Sequence, residues 1–156
     1  MDRFEPRDAP ALVRAAREDI GLSQAGLARK TGMRQSHIAE IEAGRRPVSA
    51  AMLERLLQAA DYRPSLALAA KAQTVRALAR QHGYGDVRVF GSVAAGRDHH
   101  RSDVDLLVKP VGRRRAFALG AFVADVEHEL GFPVDVVVER DGASVPDEIR
   151  DTAVPL

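Results

Sequence analysis

The sequence contains no cysteine and no tryptophan. Without cysteine, a disulfide framework and a thiolate metal site are both excluded. Aromatic residues make up only 4% of a chain that is 46% hydrophobic, so we expect a core of Ala, Leu and Val. No apolar run approaches the ~18 residues of a membrane span, and the opening residues MDRFEPRDAP lack the apolar segment of a secretory signal. We therefore expect a cytoplasmic protein with no membrane partner.

An excess of charge of either sign is also missing, because the formal net charge is only +1. No global field therefore favours nucleic acid or a membrane surface. The length of 156 residues suits one ordinary domain or two small ones. Pro64 follows a run of short helical patterns and marks the expected boundary. We predict an all-α domain over residues 1–63 and an α/β domain over residues 64–156, in which residues 64–84 form a linker helix that packs on the sheet.

The first half has short helical patterns separated by glycines. The apolar spacing predicts helices from Pro10 to about Ile20, from Ser23 as an N-cap to Gly32, from Gln35 to Ala43, and a fourth opened by Pro47-Val48-Ser49. Short helices joined by turns of three to four residues around a glycine are typical of a helix-turn-helix bundle.

The stretch SQAGLARKTGMRQSHIAEIEAG resembles the lambda-repressor or Xre-type helix-turn-helix family, and the likeness covers residues 12–62. In that family the helix that begins near Gln35 enters the major groove. The resemblance implies operator DNA as a partner, with dimerisation. It implies base-edge contacts from Gln35, Ser36, His37 and Glu40, and phosphate contacts from Gln24, Arg34, Arg45 and Arg46. The alternative is a helical bundle for protein contacts, since residues 1–64 carry eleven basic and nine acidic residues.

The stretch VRVFGSVAAGRDHHRSDVDLLV dominates the second half. Its β-branched and aromatic residues from Val87 to Phe90 predict a strand that enters a tight turn at Gly91. A Gly-Ser pair at a strand-to-helix turn offers backbone N–H groups and a hydroxyl to an anion such as a triphosphate. Gly91 and Ser92 are therefore candidate nucleotide-binding residues.

Three carboxylates follow on two predicted strands. Asp103 and Asp105 stand two residues apart, a spacing that places both side chains on one face of a strand. Asp135 lies in the apolar run Pro133 to Val138, where an unpaired charge would be costly. If the two strands are neighbours, the three carboxylates can share cations, and Mg²⁺ is the cation that suits carboxylates beside phosphates. We predict a metal site of Asp103, Asp105 and Asp135.

Gly91-Ser92, ten residues, and then Asp103-Val104-Asp105 resemble the signature of the minimal nucleotidyltransferases of the polymerase-β-like superfamily. Ala95 stands where that family usually has an arginine, and Arg97 is close enough to substitute, so the resemblance implies Arg97 as a further nucleotide-binding residue. The resemblance implies two Mg²⁺ ions on the three carboxylates, with Asp103, Asp105 and Asp135 as catalytic residues. ATP is the implied substrate, and its triphosphate would lie against Gly91 and Ser92.

Minimal nucleotidyltransferases of this kind are often antitoxins of HEPN/MNT toxin–antitoxin systems. The resemblance therefore implies transfer of AMP to a tyrosine of a HEPN-type ribonuclease toxin, operator binding for autoregulation, and a homodimer or a hetero-oligomer with the toxin. One alternative is a DNA-binding regulator that neutralises a partner by stoichiometric binding through a catalytically weak nucleotide-binding domain. A further alternative is nucleotidylation of a small molecule such as an aminoglycoside.

The fold class expected is an N-terminal all-α helix-turn-helix bundle plus a C-terminal α/β (α+β) minimal nucleotidyltransferase domain with a small mixed sheet. In the second half we predict helices over Ser65 to His82, Arg113 to Leu130 and Pro146 to Thr152, and a buried strand over Pro133 to Val138. His99 and His100 are predicted to be solvated loop residues, because adjacent histidines without further ligands make a poor metal site.

Overall fold

The computed structural model describes residues 3–112, 117–140 and 145–156. After a 3-10 turn at Pro6–Asp8, the first half contains four helices: α1 (Ala9–Asp19), α2 (Gln24–Thr31), α3 (Gln35–Glu42) and α4 (Ala50–Ala59). All four predicted helices are present, with boundaries within a residue or two of the sequence prediction. Their buried side chains form one core, which includes Val13, Leu27, Ile38, Ile41, Leu53, Leu56 and Leu57.

Side-chain caps explain where two of these helices begin. The Ser23 hydroxyl accepts a hydrogen bond of 3.0 Å from the backbone N–H of Gly26 at the start of α2. The Ser49 hydroxyl accepts one of 3.2 Å from Met52 at the start of α4. Each bond satisfies a backbone donor that has no partner within the helix. Gly32 then ends α2 in the left-handed conformation, with φ of 70°.

A buried charge ties α1 to the end of α3. Glu42 is 4% exposed, and its carboxylate accepts hydrogen bonds from Arg17 at 2.6 and 3.0 Å and from Gln24 at 3.0 Å. Burial has the largest single influence and raises the pKa of Glu42. The hydrogen bonds from Arg17 and Gln24 and the charges of Arg17 and Arg14 together outweigh burial, so the pKa of Glu42 is lowered overall.

Substitution of Glu42 by Gln should destabilise the helical half by about 3 kcal/mol, because Arg17 would be left buried without its counter-charge. A group with a lowered folded-state pKa stabilises the protein above its unfolded pKa, and this stability is lost as the pH falls through the folded value. The difference between wild type and Glu42→Gln should therefore shrink below about pH 4 in urea unfolding curves. Glu18→Gln is the matched control, since the exposed Glu18 pairs with the same arginine at 3.5 Å. Equal effects of the two substitutions would contradict the account.

The second half is a sheet covered by helices. It contains α5 (Pro64–Gln81), β1 (Tyr84–Phe90), α6 (Gly91–Ala94), β2 (Val104–Pro110), α7 (Ala118–Leu130), β3 (Val134–Val138), α8 (Asp147–Thr152) and β4 (Val154–Pro155). The sheet order is β3-β2-β1-β4. β1 pairs antiparallel with β2 and β4, whereas β2 and β3 pair in parallel. The predicted small mixed sheet is confirmed.

The alternation of β2 places Asp105 on the face opposite the core residues of the strand. Val104, Leu106 and Val108 are fully buried in the core cluster that also contains residues of α5 and α7. Asp105 therefore points to the other face, where it is only partly buried. The parallel register places Asp105 directly beside Asp135 of β3.

The structure departs from the sequence predictions at four points. Helix α5 is a single element as predicted, but its backbone leaves helical geometry at Lys71. Phe117 falls within the helix predicted over Arg113 to Leu130, yet it precedes α7 with φ of 63° and is 92% exposed. The first residues of that predicted helix, 113–116, lie outside the described residues. Strand β3 is only partly buried, because it forms the edge of the sheet. Strand β4 was not predicted, since two residues carry no periodic signal.

Among the residues that the structure describes, no helix combines the length and the hydropathy needed to cross a lipid bilayer.

Candidate active site and nucleic-acid interface

Helix α3 presents its first turn to solvent. Gln35 and Ser36 are exposed, and His37 is partly exposed, whereas Ile38 and Ile41 face the core. The predicted phosphate-contacting arginines Arg34, Arg45 and Arg46 are exposed at either end of the helix. This arrangement leaves the polar face of α3 free to enter a groove.

A chain of hydrogen bonds orients the candidate base-reading glutamine. The Gln35 side-chain amide donates to the Gln24 side-chain oxygen at 3.0 Å, and the Gln24 amide donates to Glu42 at 3.0 Å. Gln24 thus links the exposed Gln35 to a buried carboxylate. At the other end of α3, Glu40 forms an ion pair of 3.4 Å with Arg46, so one predicted phosphate contact is held by an acidic neighbour.

The three candidate catalytic carboxylates lie together. One oxygen each from Asp103, Asp105 and Asp135 can be chosen so that all three lie within 4.8 Å of one another. Asp103 immediately precedes β2, while Asp105 and Asp135 are partners across the parallel β2–β3 pair. The sequence spacing and the strand pairing therefore bring together the residues predicted to form the metal site.

The negative charge of this cluster favours a bound cation. Burial raises the pKa of Asp105 above its ordinary value, and the negative charges of Asp103 and Asp135 raise it further. Within the described ranges, no basic side chain forms an ion pair with any of the three carboxylates. A set of oxygen ligands with uncompensated charge is the donor set that hard divalent cations prefer. The residues present therefore fit a divalent metal.

Gly91 allows this cluster to form. Its φ is +68°, and a Cβ atom built on it would lie 2.0 Å from Oδ2 of Asp105. Only glycine combines this backbone conformation with the close approach of a carboxylate. Gly91 therefore has a second function that the sequence did not predict, since it makes room for Asp105 as well as opening the turn.

Ser92 begins a cleft beside the carboxylates. Its hydroxyl is buried and has no hydrogen-bond partner, which is unusual for a buried polar atom. It lines an open cavity of about 490 Å³, whose other lining residues are Gly91, Ala94, Ala95, Arg97, Glu148 and Thr152. A ligand with acceptor oxygens in this cleft would satisfy the hydroxyl. Arg97 also lines this cleft, and its backbone N–H donates to the Ser92 carbonyl at 2.9 Å.

Sequence reasoning missed the contribution of α8 and misjudged His100. Glu148 and Thr152 reach the cleft because α8 packs against α6, a long-range contact without a sequence signal. His99 is exposed as predicted, but His100 is only 5% exposed. The prediction of a solvated His100 is therefore wrong, and its partners are residues of the helical half.

Comparisons with known proteins agree with this geometry. Residues 13–66 match the family model described as helix-turn-helix, and residues 71–154 match the model described as nucleotidyltransferase domain. A solved structure described as a minimal nucleotidyltransferase is similar at 36% sequence identity, with a TM-score of 0.52. The match covers 59% of this chain and 95% of that one. A comparison with curated proteins finds no significant match.

The nucleotidyltransferase match spans more than half of the chain, and the carboxylates and the Gly-Ser turn both fall inside it. The helical half that precedes it carries a helix-turn-helix domain. This chain belongs to the nucleotidyltransferase domain family.

Proposed function

We propose that the chain transfers AMP from ATP to a tyrosine of a HEPN-type ribonuclease toxin and thereby acts as its antitoxin. The observation that carries the transferase part is the convergence of Asp103, Asp105 and Asp135 within 4.8 Å, beside a cleft lined by Ser92 and Arg97. The antitoxin part rests on the resemblance to minimal nucleotidyltransferases of HEPN/MNT systems. We assign residues 64–156 to transfer and residues 1–63 to operator binding for autoregulation.

The proposed roles follow from position. Asp103, Asp105 and Asp135 would hold two Mg²⁺ ions, which stabilise negative charge on the phosphates when bound. Gly91, Ser92 and Arg97 bind and orient the triphosphate. The acceptor hydroxyl oxygen forms a bond to the α-phosphorus, and the bond from that phosphorus to the bridging oxygen breaks and releases pyrophosphate. Asp135 is exposed at the edge of the cluster and takes the acceptor proton.

The position of the tyrosines supports an acceptor on another protein. The chain has two tyrosines, Tyr62 and Tyr84, which are 5% and 2% exposed. Burial, assisted by the charge of Asp8, raises the pKa of Tyr62 to about 12. Both tyrosines are buried, whereas Asp103 and Asp135 are exposed. A partner can therefore present its own side chain to the cluster.

The test uses ATP labelled at the α-phosphate, Mg²⁺ and the protein encoded by the adjacent gene. AMP transfer predicts label on that partner, with none on this chain and none when the label is on the γ-phosphate, which leaves with pyrophosphate. Asp103→Asn should abolish labelling. Co-purification of the two proteins without labelling by any of the four nucleotides would overturn the proposal in favour of stoichiometric neutralisation by a DNA-binding regulator.

We further propose that α3 reads the operator of the chain's own gene. Gln35→Ala should weaken operator binding roughly tenfold, because a bidentate contact between glutamine and adenine contributes about 1–3 kcal/mol. Arg45→Ala should instead weaken binding to all sequences. It should also reduce the slope of log affinity against log salt concentration by about one. The matched control is Gln58→Ala, an exposed glutamine on α4. If gel-shift titrations give Gln35→Ala and Gln58→Ala the same affinity, α3 is not the reading helix.

A further inference from the structure

The loop that joins the Ser92 turn to Asp103 is anchored on the helical half. We call residues 97–102 the connecting loop. At its centre, the backbone N–H of His100 donates to Oδ1 of Asp61 at 2.8 Å, and Nδ1 of His100 lies 2.6 Å from the carbonyl oxygen of Tyr62. The connecting loop, which leads directly to Asp103, is therefore fixed to the turn that follows α4.

The remaining polar atoms of His100 are also bound by residues outside the sheet. Nε2 lies 3.0 Å from Oε1 of Glu54 on α4 and 3.3 Å from a terminal nitrogen of Arg3. The other terminal nitrogen of Arg3 donates to the His100 carbonyl at 3.0 Å. His100 thus has partners at both ring nitrogens and both backbone polar groups, and all of them belong to residues 3–62.

A second contact holds the other end of the connecting loop. The Asp98 side chain is 2% exposed, and Oδ2 accepts a hydrogen bond of 2.7 Å from the backbone N–H of Ser65. Ser65 lies in the first turn of α5, where backbone donors have no helical partner and a negative charge is stabilised. Arg63 approaches the same carboxylate at 4.0 Å. The connecting loop is therefore held at two points.

The strand that carries the third carboxylate is anchored at the same place. Phe132 lies three residues before Asp135, as His100 lies three residues before Asp103. The Phe132 ring is in edge contact with Phe4 at 5.6 Å and with His100 at 6.3 Å, and it packs 5.9 Å from Tyr62. The rings of Phe4, Tyr62, His100 and Phe132 therefore form one cluster. It contacts the segments that lead into β2 and β3, the strands next to the three carboxylates.

We propose that His100 is a positioning residue, and that the helical half completes the catalytic site by fixing the connecting loop. Three carboxylates within 4.8 Å repel one another. The backbone that carries them must therefore be held in place if they are to stay close enough to bind cations together. Asp103 precedes the strand and has no ladder partner of its own, so its place depends on the loop. This inference deepens the proposed function and rests on it for the reaction, but not for metal binding.

The test measures Mn²⁺ binding to the full chain by electron paramagnetic resonance, without nucleotide. His100→Ala should weaken Mn²⁺ affinity roughly tenfold, the size expected when the support of a ligand is removed. His100→Asn keeps a donor near the Tyr62 carbonyl and should recover most of the affinity. His99→Ala is the matched control, because His99 is the exposed neighbour in the same loop. Glu54→Ala removes a partner of His100 from the helical half and should weaken binding about two- to threefold.

Operator affinity in the same preparations shows whether the helical half is still folded. Unchanged operator affinity with weakened Mn²⁺ binding, and rescue by His100→Asn, would support the proposal. Wild-type Mn²⁺ affinity in both His100→Ala and Glu54→Ala would overturn it, as would an equal loss in His99→Ala. If wild type binds Mn²⁺ but transfers no nucleotide to any partner, the proposed function fails while the positioning result stands.

Discussion

Asp105→Asn should reduce nucleotide transfer by about 10³-fold or more. Asp105 is the central member of the cluster, because, in addition to burial, the negative charges of both Asp103 and Asp135 raise the pKa of its carboxyl group. It is also the least exposed of the three. A metal that stabilises phosphate charge contributes several kcal/mol to the transition state, and each 1.36 kcal/mol is about a factor of ten. Loss of one ligand from a three-carboxylate site removes much of that contribution. The measurement is the initial rate of label transfer from α-labelled ATP.

The same substitution should leave the protein at least as stable in the absence of metal. Removing one of three mutually repelling charges relieves the repulsion and the burial cost that Asp105 bears. Wild type should gain thermal stability when Mg²⁺ and ATP are added, whereas Asp105→Asn should gain little, because binding stabilises only a protein that binds. Asp151→Asn on α8 is the control, since this exposed aspartate lies outside the cluster. A fully active Asp105→Asn protein would show that the cluster is not the catalytic centre.

Gly91→Ala should reduce transfer by about 100-fold. The new Cβ would lie 2.0 Å from the Asp105 carboxylate, so either the turn or the carboxylate must move by more than an ångström. A displacement of that size in a catalytic site costs about 100-fold in rate. The left-handed φ of +68° adds backbone strain of about 1–2 kcal/mol for any other residue. Rates are measured with saturating ATP, and stability by thermal unfolding.

Gly96→Ala separates the clash from the strain. Gly96 has φ of +64°, nearly the same as Gly91, but a Cβ there would meet no atom within 4 Å. Both alanine variants should therefore lose similar stability from backbone strain, while only Gly91→Ala should lose most of its activity. Equal activities of the two variants would mean that Gly91 is needed for its backbone conformation alone, and that its contact with Asp105 has no catalytic consequence.

Local signals were sufficient for most of the fold. Ser23 caps the helix that it was expected to cap, because a hydroxyl before an apolar helical pattern has one favourable use. Ser49 caps the helix that the segment 47–49 was expected to open. The apolar runs around Asp105 and Asp135 predicted two strands, and the cost of an isolated carboxylate in such a run favoured a place for Asp135 beside the other two aspartates. The metal-site residues could be chosen from the sequence for this reason.

Features that depend on long-range packing could not be predicted. His100 has no pattern that distinguishes it from His99, and only the position of the helical half decides which of the two is buried. Glu148 lies near Ser92 because α8 returns to α6, and no spacing rule relates residues so far apart. The dual use of Gly91 was equally hidden, because the approach of Asp105 depends on the pairing of Phe90 with Asp105 in the sheet.

The most direct test of the central claim is a crystal structure of the full chain with Mn²⁺ and a non-hydrolysable ATP analogue, with the ions located by anomalous scattering. The account predicts two anomalous peaks among Asp103, Asp105 and Asp135, with the triphosphate beside Gly91 and Ser92 and bonded to the Ser92 hydroxyl that now lacks a partner. Nucleotide bound elsewhere, with no ion at the three carboxylates, would contradict it.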